Sequence, residues 1–110
     1  MAGDMGKITS LMQLVLDNRL QQLREAAEAR DQSLMQMAAV TAAAAPADLP
    51  AVTAGIVGLT YQRWADVRRA ELNTVIARQT ADWMAAKSAA SLAFGRAQAV
   101  RGIAERLQAK

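Results

Sequence analysis

Proline occurs at only two positions of this 110-residue chain, Pro46 and Pro50, and both fall in one short stretch near the middle. Proline lacks a backbone N–H and its ring clashes with the preceding helical turn, so helices stop at or before it. Two long proline-free arms therefore flank a single break. The arms are rich in helix-favouring residues, alanine alone occurring 26 times beside many Leu, Gln, Arg and Glu. Aromatic residues are 4% of the sequence, so any core between the arms is thin. The composition fits long helices and not a sheet.

In the first arm, Ser10-Leu11-Met12-Gln13 matches the capping box of a helix N-terminus. From there Leu16, Leu20, Leu23, Ala27, Leu34 and Met37 recur in steps of four and three, with Arg30 the one charged interruption. This spacing predicts a heptad seam on a helix over about 10–44, some 50 Å long at about 1.5 Å per residue. Pro46 ends that helix, Asp48 is placed to cap the next, and Pro50 suits its first turn, so about 45–50 is read as a chain reversal. The second helix runs from about 51 to 110. Gly55 and Gly58 weaken its start, and Leu59, Trp64 and Val67 are out of phase with the apolar positions C-terminal to them, the mark of a stutter or a kink near the two glycines. Leu72, Ile76, Gln79, Trp83, Ala86, Ala90, Ala93, Ala97, Val100, Ala104 and Leu107 then alternate by four and three, with Gln79 the strongly polar member. The whole reads as one all-α domain over 1–110, an antiparallel two-helix coiled-coil hairpin with a longer second helix. A seam this rich in alanine lets helices approach closely but buries little area per residue.

The chain has no His and no Cys. That excludes the common metal sites, thiol nucleophiles, disulfides and the usual near-neutral general base. Glu25, Glu28 and Asp31 are interleaved with Arg24 and Arg30 at helix-neighbour spacing, which reads as a solvated ion-pair face. With no glycine-rich phosphate loop and no nucleophile–base pair, the expectation is a non-enzyme with neither cofactor nor small-molecule substrate. The formal charge is +3, split as four basic and six acidic groups in 1–50 and nine basic and four acidic in 51–110. Arms of opposite sign attract when folded side by side. Arg69 and Lys87 fall on one side of a helical wheel, Arg78 and Arg96 on the other, so the second arm lacks the concentrated basic face that nucleic acid requires. No stretch approaches the ~18 apolar residues of a membrane span, and the N-terminus lacks a signal-type pattern, which points to the cytoplasm.

Trp83 lies in the seam and is expected to anchor the core. Arg63-Trp64 and Phe94-Gly95-Arg96 combine residue types enriched at protein interfaces. Folding the chain back near Asp48 sets residue 34 across from about residue 62 and residue 10 across from about residue 86. Everything beyond about Ala90 then lacks an intramolecular partner. This predicts a partner-binding or dimerisation surface on the overhang, with Phe94, Val100, Ile103 and Leu107 as apolar contacts and Arg96 and Arg101 setting orientation. Arg63 and Trp64 form a second candidate. The function expected is that of a helical interaction protein; a basic nucleic-acid-binding helix and a self-assembling structural coiled coil are the alternatives.

Leu11-Met12-Gln13-Leu14-Val15 leading into an Arg/Gln/Glu/Ala helix, the Pro-interrupted turn, and a longer basic second helix carrying Arg-Arg-Ala-Glu-Leu-Asn at 68–73 together resemble the FliJ/YscO family of flagellar and type III secretion export proteins. The resemblance spans nearly the whole chain. It implies a stalk that inserts into a ring-shaped export ATPase and links it to the membrane export gate, without catalysis by this chain.

Overall fold

The computed structural model describes residues 2–43 and 51–109. The chain is all-α: helix α1 spans Ala2–Ala42 and the longer α2 spans Ala51–Ala109. Among the described residues there is no strand, and none adopts a positive φ. The reversal expected at about 45–50, with Pro46, Asp48 and Pro50, lies outside the described residues.

Helix α1 begins eight residues before the expected cap at Ser10, which instead sits exposed inside the helix. Two observations account for the earlier start. Asp4 occupies the first turn, where a carboxylate complements the positive end of the helix dipole. The seam also continues backward, since Met5, Thr9 and Met12 are part-buried in step with Leu16; the Thr9 hydroxyl is satisfied within the helix by donating to the Met5 carbonyl at 2.8 Å. That tertiary contact offsets the low helix propensity of Gly3 and Gly6. Helix α2 runs uninterrupted through Gly55 and Gly58.

Two compact units divide the chain, Met1–Glu28 with Ala81–Lys110 and Ala29–Thr80. In the first, Leu16 is buried with Ala93 and Ala97, and Met12 and Val15 pack against them. In the second, Val40, Ala65 and Leu72 form the buried cluster, with Met37, Tyr61 and Ile76 around it. Each unit pairs its helices antiparallel. In Ala29–Thr80, Tyr61 Oη donates to the Val40 carbonyl at 2.5 Å, Arg68 to Gln36 Oε1 at 3.2 Å and Arg30 Nε to Thr80 Oγ1 at 2.9 Å. In the other unit Arg101 donates to Gln13 Oε1.

These contacts correct the one-to-one fold-back. Residue 36 meets 68, and residue 13 meets 101 where the neighbourhood of 83 was expected. Val52 and Ile56, in the first turns of α2, are exposed, and the first hydrogen bond to α1 along the described part of α2 comes only at Tyr61. The pairing thus starts well into α2, which carries the C-terminal segment to a level where α1 can cover it. Residues beyond Ala90 are not an unpartnered overhang: Ala93 and Ala97 are among the most buried residues in the protein.

The seam of α2 follows the expected line. Leu72, Ala90, Ala93 and Ala97 are buried, and Ile76, Gln79, Trp83, Ala86, Val100 and Ala104 are half-buried, while Leu107 at its end is exposed. Upstream, the buried line through Tyr61, Ala65, Arg68, Leu72 and Ile76 takes two consecutive steps of four, the insertion that defines a stutter. Leu59, Trp64 and Val67 point outward. In α1 the seam keeps Leu16, Leu23, Ala27, Arg30 and Met37, Leu20 is exposed, and at one position the buried residue shifts by one. Ser33 is buried and Leu34 exposed, and side-chain size is the reason: the line of closest helix approach admits Ser33 and Ala26, whereas the branched Leu34 fits only at its margin. The Ser33 hydroxyl is satisfied by donating to the Ala29 carbonyl at 3.3 Å.

Candidate interaction surface

Because small residues fill the seam, many large apolar side chains remain outside it. Within the unit formed by Met1–Glu28 and Ala81–Lys110, Ile8, Leu11, Leu14, Met84, Leu92, Phe94, Ile103 and Leu107 are all exposed. Their distribution follows from the heptad. The Gln13–Arg101 hydrogen bond marks one flank of the helix pair, and Leu20 and Phe94 occupy the equivalent positions one heptad along. The opposite flank carries Ile8, Leu11 and Val15 from α1 and Leu92, Arg96, Ala99 and Ile103 from α2.

The expected site residues therefore do not form one patch. Arg96 and Ile103 share the second flank, while Phe94, 54% exposed, and Arg101 lie on the first. Val100 is half-buried toward the seam and packs rather than projects. Ile103 and Leu107 are brought together with Arg106 and Ala109 around an open groove of about 350 Å³. A larger open groove of about 710 Å³ runs along the outer side of α2, lined by Lys87, Ser88, Ser91, Leu92, Gly95, Arg96 and Ala99. A Cβ built on Gly95 meets nothing within 4 Å, so the glycine leaves that groove open where a side chain would fill it.

Arg63 and Trp64 belong to the other unit. Both are exposed, and the Trp64 ring lies against Tyr61 with centroids 5.5 Å apart and planes tilted by 45°. Trp83, expected as a core anchor, is only half-buried, with Lys87 Nζ 5.3 Å from its ring centroid. The ammonium sits over the negative face of the indole and shields it in part from water.

Several basic groups are engaged within the protein. Arg68 pairs with Glu71 at 3.3 Å and Arg69 with Asp66 at 2.9 Å, both one helical turn apart. Among the described residues no group of three or more acidic side chains is placed to hold a metal ion, and no helix is long and apolar enough to cross a membrane.

Ile8, Leu11, Leu14, Met84 and Leu92 are exposed residues of this unit that sequence reasoning missed. The signal was present: extending the four-three spacing backward from Leu16 through Met12, Thr9 and Met5 leaves Ile8, Leu11 and Leu14 off the seam, too apolar for an outer face. No protein-family model, curated protein or solved structure matches the chain.

Proposed function

We propose that the chain is a non-enzymatic helical interaction protein that docks to other protein surfaces through the apolar residues its seam leaves outside. One observation carries this reading. Among the described residues the buried hydrophobic core consists of seven, four of them alanine, whereas seventeen large hydrophobic side chains are exposed. Extensive exposed apolar surface is the usual mark of a protein contact. The export-stalk role is the specific version that the resemblance implies, and it rests on Leu11–Val15 and the 68–73 segment. The dispersal and internal pairing of the arginines favour a protein partner over a phosphate backbone.

Site-specific photo-crosslinking in the native cell tests the proposal. A photoreactive phenylalanine analogue in place of Leu92 or Ile103 is expected to give adducts of defined mass. The same analogue in place of Gln98, on the other side of α2, gives none. Absence of any adduct at Leu92, Ile103, Phe94 and Trp64 contradicts the reading.

A further inference from the structure

Charge is spread unevenly along this chain. Between Asp31 and Arg63 the sequence carries a single charged residue, Asp48, which lies outside the described residues, and every other charged group falls before or after that stretch. We infer that the uncharged end of the Ala29–Thr80 unit, led by the first turns of α2, enters the surface of a lipid bilayer with Tyr61 and Trp64 at the headgroup level. This goes beyond the protein contacts proposed above and rests on separate observations.

The first support is that this end is uncharged all round. Tyr61 is held to the Val40 carbonyl on the antiparallel α1, so Ala42, where α1 stops, is level with about residue 59. Residues 51–58 of α2 therefore run on past the described part of α1, by roughly 12 Å. Val52, Ile56 and Leu59 there are 77%, 63% and 57% exposed. A helix seated in a protein groove presents one apolar face and keeps the opposite face polar. By contrast, α2 carries no charge on any side from Ala51 to Gln62, and α1 carries none from Gln32 to Ala42. A helix without a polar face suits a medium that is apolar on every side, and lipid supplies one. Residues 51–62 span about 18 Å of helix against the ~30 Å of a hydrocarbon core, so α2 enters one leaflet.

The second support is the order of residue types along the axis. Next to the uncharged turns come Tyr61 and Trp64, rings 5.5 Å apart, with Trp64 54% exposed. Such amphipathic rings collect where hydrocarbon meets headgroups. Arg63 is the first charge on α2, exposed and in the same turn as the two rings, and its long side chain can reach lipid phosphates while its stem stays in apolar surroundings. The charges that follow are paired with each other, Arg69 with Asp66 and Arg68 with Glu71. Apolar turns, rings, a cation and then ion pairs is the order in which a bilayer surface gives way to water. The other unit has no such order, because its charged groups recur from Asp4 to Glu28 and from Asp82 to Lys110 with no comparable gap.

Flotation of the purified full chain with vesicles of mixed phosphatidylcholine and phosphatidylglycerol, read beside tryptophan emission, tests the inference. The chain is expected to float with the vesicles. Ile56→Glu and Leu59→Glu are each expected to weaken that partition by about tenfold or more, with helical circular dichroism retained because both side chains are exposed. The chain has two tryptophans, so each can be followed alone. In Trp83→Phe the emission of Trp64 should move to shorter wavelength when vesicles are added, and in Trp64→Phe the emission of Trp83 should stay where it is. A wild-type chain that floats at no lipid concentration overturns the inference, as does a shift confined to Trp83, or flotation that both glutamate variants leave unchanged. If the chain ignores vesicles yet gives photo-adducts with another protein at Trp64, a protein covers this end, the inference fails and the interaction reading stands.

Discussion

Gln79 is the polar residue in an otherwise apolar or small seam, and its Oε1 is buried with no hydrogen-bond partner. An unpaired buried acceptor carries a desolvation cost of about 1–3 kcal/mol, and removing it costs nothing in lost bonds. Gln79→Leu should stabilise the chain by roughly 1 kcal/mol and raise the thermal midpoint by about 4–8 °C, read by circular dichroism. Ala65 is the opposite case: it has no exposed surface at all and lies with Val40 and Leu72. Ala65→Leu forces extra methyl groups into a filled contact and should cost about 1–3 kcal/mol in the same assay. Trp83 falls between the two. A fully buried tryptophan cut to alanine loses about 3–5 kcal/mol, but one that is half-buried under Lys87 should lose nearer 2 kcal/mol.

At the scale of the helix, the N-terminal boundary gives a discriminating prediction. If Ser10 capped α1, replacing it with alanine would cost about 1 kcal/mol. Inside an exposed helix the same change gains a few tenths of a kcal/mol from propensity, and that is the outcome expected, since α1 starts at Ala2. The α2 seam from Leu72 through Ala104 was legible because its residues were apolar or small at every step but Gln79. The α1 seam was legible at Leu16, Leu23, Ala27 and Met37 but not at Leu20 and Leu34. Leucine is the stronger signal on paper, so Leu20 and Leu34 read as core, yet close helix approach selects for size and puts Ser33 inside. The register was not legible, because hydrophobic spacing fixes which face each helix buries and says nothing about where along the partner it lies. The expected overhang beyond Ala90 was misplaced for that reason. The register also revises what truncation does: deleting residues 95–110 removes Ala97 from Leu16 and Arg101 from Gln13. Helicity should fall by more than the deleted residues account for, as Ala2–Leu16 loses its cover.

For the molecule as a whole, the alanine-lined seam and the exposed apolar residues are two sides of one arrangement. Small side chains bring two long helices together at the cost of buried area, and large side chains that a globular domain would place inside are left exposed. Under the proposed function Leu11, Leu92 and Ile103 are dispensable for the isolated chain and needed for its contacts, while Leu16 is required for the fold. Thermal unfolding of the chain carrying Leu11→Gln, Leu92→Gln and Ile103→Gln together, at a concentration dilute enough to keep it monomeric, tests that division most directly. The predicted midpoint corresponds to a change within about 0.5 kcal/mol per site, beside a loss of about 2–5 kcal/mol for Leu16→Ala. A triple variant that unfolds as readily as Leu16→Ala would place those three residues in the core and contradict the account.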